Sequence, residues 1–130
     1  MMRKLFLGLT FSLCTLAFFG QGAKVEHLFS SGNSKALAQM FADPIDLTIL
    51  GKTNLVSKTQ AEGMLQEFFN NHNPTNFIPR HHGDKNSPRK FGVGRLVTEQ
   101  GAFRVSYVMD KNSKTPLIKQ IRIHPAQAKP

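Results

Sequence analysis

Apolar residues recur along this chain with two different periods, and the period changes near residue 74. Val25, Leu28 and Phe29 stand at i, i+3 and i+4, one face of a helix. Gly32 supplies the stop, because glycine accepts the left-handed backbone that ends helices. Asn33 or Ser34 caps a second helix with the stripe Leu37, Met40 and Phe41. Asp43-Pro44 closes it, since the residue before proline avoids the helical region. Ile45-Asp46-Leu47-Thr48-Ile49 alternates strictly and predicts a strand, with its aliphatic residues inward and Asp46 toward solvent. Gly51-Lys52-Thr53-Asn54 reads as a turn. Ser57 and Gln60 then make a capping box. The helix it opens carries Ala61, Met64, Leu65, Phe68, Phe69 and His72 on one stripe, and Asn70 to Pro74 closes it.

Beyond residue 74 the period is two. Phe77 and Ile78 lie in a short strand reaching His81 or His82, where Pro79 implies an edge or a bulge. Gly83 to Pro88 is a polar loop. Lys90 to Thr98 predicts the next strand, and its Gly92 and Gly94 suit bulges or bends. Glu99-Gln100-Gly101 is a hairpin turn. From Ala102 to Asp110 the alternation places Phe103, Val105, Tyr107 and Met109 on one face and Arg104, Ser106 and Asp110 on the other. Asn112 to Lys114 turns the chain again. Leu117 to His124 is the last strand, with Leu117, Ile121 and Ile123 inward. Helices that precede a strand meander imply an α+β domain: N-terminal helices packed on a curved antiparallel sheet.

Ahead of this domain Arg3 and Lys4 precede an apolar run from Leu5 to Phe19, and small residues follow at Gly20 and Gly22. That order is an export signal, with cleavage after Gly22. The run is shorter than the ~20 residues that span a membrane as a helix. The expected organisation is a signal peptide at 1–22, one domain at 23–126 and a frayed tail at 127–130, with no transmembrane segment left after cleavage. Cys14 is the single cysteine and lies inside the signal. The mature chain therefore has no disulfide, thiolate metal site or cysteine nucleophile. Export without cysteine suits a protein of the periplasm, or one secreted by a Gram-negative bacterium.

Charge is uneven. Residues 24–75 hold 4 Lys/Arg against 5 Asp/Glu, whereas residues 76–130 hold 11 against 3. A basic half attracts anionic partners such as envelope headgroups or acidic glycans. Arg80, Lys85, Arg89 and Lys90 crowd one loop and, with Arg95, form a candidate anion site. Nucleic acid is a poor fit, because exposed aromatics are not interleaved with the basic residues. The glycines at 92 and 94 open no helix and form no phosphate loop. His81 and His82 are adjacent on a strand and point to opposite faces, so they do not chelate one ion. No cofactor or metal is expected.

Several short features stand in one order along the chain: Ser31-Gly32-Asn33, Leu47-Thr48-Ile49-Leu50-Gly51-Lys52, Ser57-Lys58-x-Gln60-Ala61-Glu62, Phe68-Phe69, Phe77, and His81-x-Gly83. They continue through Phe91, Gly94, Leu96, Gly101, Phe103-Arg104-Val105 and Ile121-Arg122-Ile123. This collinear set resembles the family called domain of unknown function 4783, small secreted bacterial proteins of the nuclear transport factor 2-like superfamily. The resemblance covers essentially the whole mature chain. Ser106, where an aromatic is more usual, and Pro79 depart from it. It implies a cone-shaped α+β fold and export, but no activity.

In that superfamily the cone often holds a pocket between sheet and helices, and several members are enzymes with an inward carboxylate or His beside a Tyr. Here Met64, Phe68, His81, Phe103, Val105 and Tyr107 would line it. His81 and Tyr107 are the catalytic candidates for an isomerase or hydratase; the bland alternative is a core tyrosine and a satisfied histidine. His72 is another partner for the Tyr107 hydroxyl. The outward sheet face, with Arg104 and Arg122, is where a homodimer would form. The leading expectation is a non-catalytic exported protein that binds a small ligand or an envelope protein through the cone pocket or the sheet face. Its alternatives are the His–Tyr enzyme and an anion-binding surface module.

Overall fold

The computed structural model describes residues 21–82, 90–110 and 115–126, without the side chains of Gln21, Gly22, His81, His82 and Lys90. Most of the expected signal lies outside these residues, as do the 83–89 loop with Lys85 and Arg89, the turn at 112–114 and the tail at 127–130.

Helix α1 (Gln21–Ser30) lays Val25 and Phe29 fully into the core. It ends as expected at Gly32, whose φ of 66° is left-handed. The amide of Asn33 donates to the carbonyl of Leu28 at 3.0 Å and that of Gly32 to Phe29 at 3.1 Å. This pair of bonds satisfies carbonyls that the helix end would otherwise leave open. Asn33 then caps α2 (Ser34–Ala38), its side chain accepting from the amide of Ala36 at 3.0 Å. Ser34, 2% exposed, ties α2 to the next helix through the Gln66 side chain.

Helix α2 is shorter than its apolar stripe suggests. Phe41 is the first residue of a strand, not the last of a helix, and β1 runs Phe41–Ile49 straight through Asp43-Pro44. That stretch is exposed and marks a shift in register against the neighbouring strand, an irregularity that accommodates a proline without an amide to give. Strand β2 (Lys52–Val56) occupies what reads as a turn in the sequence, because four of its five residues are exposed and it shows no apolar alternation. Helix α3 (Lys58–Asn71) opens on the complete capping box of Ser57 and Gln60. It buries Ala61, Leu65, Phe68 and Phe69.

Strands β3 (Pro74–His82), β4 (Lys90–Thr98), β5 (Gly101–Asp110) and β6 (Leu117–Pro125) follow. All six join one sheet in the order β2-β1-β6-β5-β4-β3. Neighbours are antiparallel except β1 and β6, which run parallel at the middle of the sheet. The helices cover one face, where Ile45, Leu47, Leu96, Val105, Ile121 and Ile123 are fully buried. Near the start of β6 it is Ile118, not Leu117, that turns inward, because the register with β5 slips at Val108–Met109 and moves the alternation by one residue.

Candidate functional site

Among the described residues, the helix-covered face of the sheet carries closely packed core side chains. Tyr107 and Phe77 lie flat over β4 at the two places where β4 carries no side chain. A Cβ at Gly92 would meet the ring and hydroxyl of Tyr107, and one at Gly94 would meet the ring of Phe77. Each of these glycines makes room for an aromatic ring, while β4 pairs with β5 without interruption from Lys90 to Thr98. Phe77 in turn stacks on Phe29 of α1 at a centroid separation of 5.8 Å.

Tyr107 is 3% exposed and Val105 is fully buried, so both are core residues. Burial pushes the Tyr107 phenol up from 10.0 to about 12, and the negative charge of Glu26 on α1 adds to the rise. The ladder aligns His82, not His81, with Gly92, and Gly92 with Tyr107; His81 pairs with Val93 in the adjacent row. His72 is engaged elsewhere. Its ring stacks on Phe68 at 4.4 Å and meets Phe103 edge-on at 5.0 Å, while Nδ1 lies 3.0 Å from the Phe68 carbonyl. Among the expected pocket residues, Met64 and Phe68 line an opening of about 230 Å³ with Ile49, Lys52, Glu67 and His72. It is a shallow mouth between α3 and the β1–β2 hairpin, separate from Val105 and Tyr107.

Asp46 faces outward as its strand position dictates, yet it is half-buried. It lies between Leu55 and Gln120, and its Oδ1 is shut off from solvent with no hydrogen-bond partner.

The outward face holds a larger recess of about 530 Å³. Phe91, Val93 and Gly94 of β4 and Ala126 form its apolar part, and Arg80, Arg95 and Arg104 its polar part. No acidic residue lines it among those described. The three arginines come from three neighbouring strands. Register explains the meeting of Arg95 and Arg104, which stand in one row with Ile78 and His124 across β3, β4, β5 and β6, while Arg80 falls at the register shift between Pro79 and His81. Arg104, Arg122 and His124 are exposed, and Arg95 is half-buried. Like charges directly opposite on a ladder repel, so this row is an electrostatic cost to the unliganded fold.

Of the basic residues singled out in the sequence, Arg80 and Arg95 come together here. Lys85 and Arg89 fall outside the described residues, and Lys90 is described only as backbone at the start of β4. The sequence reading did not attach Phe91, Val93 or Arg104 to this group. The signal was available: a hairpin that turns at Glu99–Gln100 pairs residues symmetrically about that turn and so sets Arg95 against Arg104. Among the described residues no cluster of three His, Cys, Asp or Glu could hold a metal ion, and no helix is long and apolar enough to cross a membrane.

Comparison with known proteins agrees with this geometry. The family model described as "Domain of unknown function (DUF4783)" matches residues 23–124. The solved structure of a DUF4783 family protein from Bacteroides uniformis is 33% identical, with a TM-score of 0.77 over 83% of this chain and 99% of its own. A second, from Bacteroides ovatus, is 32% identical, with a TM-score of 0.75 over 81% of this chain and 94% of its own. A domain of unknown function with a cystatin-like fold from Nostoc punctiforme shares the fold alone, at 12% identity and a TM-score of 0.63 over 82% of this chain and 74% of its own. No curated protein matches the sequence. With helices laid on one side of a curved mixed sheet in the cystatin-like, nuclear transport factor 2-like manner, the chain belongs to the DUF4783 family.

Proposed function

We propose that the chain is an exported, non-catalytic binding protein that meets its ligand on the outward face of its sheet. One observation carries this reading. The helix-covered face is packed with core side chains, whereas the outward face holds a 530 Å³ recess in which three arginines adjoin an apolar wall. Recesses of this size accommodate small molecules. A phenol held at about 12 and closed off from solvent is a poor acid or base at neutral pH, which speaks against chemistry at Tyr107. Export rests on the basic, apolar, small-residue order of residues 3–22. A homodimer through this same face would set Arg95, Arg104 and Arg122 against their own copies, so an anionic ligand suits it better.

The test is the fluorescence of anilinonaphthalene sulfonate, an apolar anion, with the mature chain beginning at Ala23. The expected result is bound dye that Arg104→Glu expels and Met64→Lys leaves in place. The opposite pattern places the site at the 230 Å³ mouth and overturns the reading, as does an absence of bound dye.

A further inference from the structure

Resting on that reading and going beyond it, we infer that the recess takes a phosphate monoester carried on a small apolar body, with Arg95 and Arg104 closing on one phosphate group. Three features lead there. First, Arg95 and Arg104 are direct cross-strand partners, and side chains so placed start ~5 Å apart. Their guanidinium groups can therefore reach the same oxyanion from two adjacent strands. A single arginine already satisfies both oxygens of a carboxylate in a fork. Two forks suit a tetrahedral group with three terminal oxygens.

Second, the charges match. Arg104 has Arg95 directly beside it, and Arg80 enters the recess from β3. No acidic residue lines the recess among those described. A dianion relieves the repulsion that this row otherwise carries. Third, Phe91 and Val93 stand beside the arginines and give the recess an apolar wall. Such a wall suits the apolar body of a small ester. The volume, about 530 Å³, fits a small ester.

The experiment is displacement of the bound dye by four probes: phenyl phosphate, benzoate, inorganic phosphate, and vesicles containing phosphatidic acid. Phenyl phosphate is expected to compete at least tenfold more tightly than benzoate or inorganic phosphate. Arg95→Gln and Arg104→Gln are each expected to weaken it tenfold or more, and added salt to weaken it further. Arg104 is exposed and Arg95 half-buried, and a thermal melt verifies that both variants fold. Independently of any variant, phenyl phosphate is expected to shift the backbone amide resonances of residues 93–95 and 104 in the unaltered chain.

Equal competition by benzoate overturns the inference, because charge alone would then explain binding. So does vesicle association without phenyl phosphate binding, which would make the ligand a lipid surface. Dye that Arg104→Glu expels but no phosphate displaces sinks the inference and leaves the outward face as the binding site. Dye expelled only by Met64→Lys sinks both.

Discussion

Gly92 lies directly beneath the ring of Tyr107, so close that a Cβ at Gly92 would stand 2.5 Å from the ring's Cζ and from the hydroxyl oxygen. The ring fills the space that a side chain on β4 would need. Gly92→Ala is therefore expected to destabilise the fold by about 1–3 kcal/mol, the usual cost of overpacking. Urea unfolding measures it, and the double variant Gly92→Ala/Tyr107→Leu should recover part of the loss. An unchanged midpoint for Gly92→Ala would show that the ring does not rest there.

Tyr107 is the single tyrosine and the chain has no tryptophan, so absorbance at alkaline pH reads this one phenol. Its midpoint is expected near pH 12 in the folded protein, against about 10 in denaturant. The folded value is the raised one, so this group's contribution to stability is complete below pH 10. It fades as pH climbs from about 10 toward 12, where the unfolded chain has already lost the proton that the fold retains. The loss should amount to about 3 kcal/mol at most and be absent in Tyr107→Phe.

Arg104→Gln is expected to act in opposite directions on stability and on binding. Removing one of two directly opposed charges should leave the fold unchanged or firmer by about 0.2–1 kcal/mol, most clearly at low salt. Anion binding should fall. A variant that loses both stability and binding would show that Arg104 serves the fold.

Ser57→Ala removes one half of the capping box that opens α3, where the Ser57 hydroxyl accepts from the amide of Gln60 at 3.1 Å. The expected cost is about 1 kcal/mol, measured as a lower urea midpoint with an unchanged slope.

The elements that carry their own local signal were legible. The stripe and cap of α3, the alternation of β5 and the Gly32 stop of α1 each depend on neighbours in sequence, and each folds as that signal dictates. Strand β2 was not legible, because an exposed edge strand buries too little to alternate; it is held by its ladder with β1, from Ile45–Val56 to Ile49–Lys52. Phe41 looked helical because Leu37, Met40 and Phe41 share a helical face, yet its place beside Ile118 of β6 draws it into β1. Leu117 looked inward because strict alternation was assumed across a bulge. The two strand glycines were read as sites of curvature, and nothing local reveals that a ring from another strand will settle on them. For the candidate site, the basic loop was seen and the ladder was not. Arg95 and Arg104 meet across a hairpin whose symmetry about Glu99–Gln100 could have been counted, whereas Arg80 joins them at an irregularity of β3 that no local pattern marks.

The parallel pairing of β1 with β6 places the last strand between the first hairpin and the rest of the sheet. Until residues 117–125 arrive, β1 and β2 pair only with each other within the sheet, though α3 packs on β1, and a two-stranded hairpin alone is marginal in water. The β3–β4–β5 meander can form from contacts close in sequence, but β6 must seat against β5 and β1 together before the sheet is continuous. The β1–β6 pairing joins segments about seventy residues apart, and closing so long a loop carries an entropic cost. A chain built this way stays threadable until its C-terminal strand emerges, and truncation before Leu117 should abolish the fold altogether instead of trimming its edge.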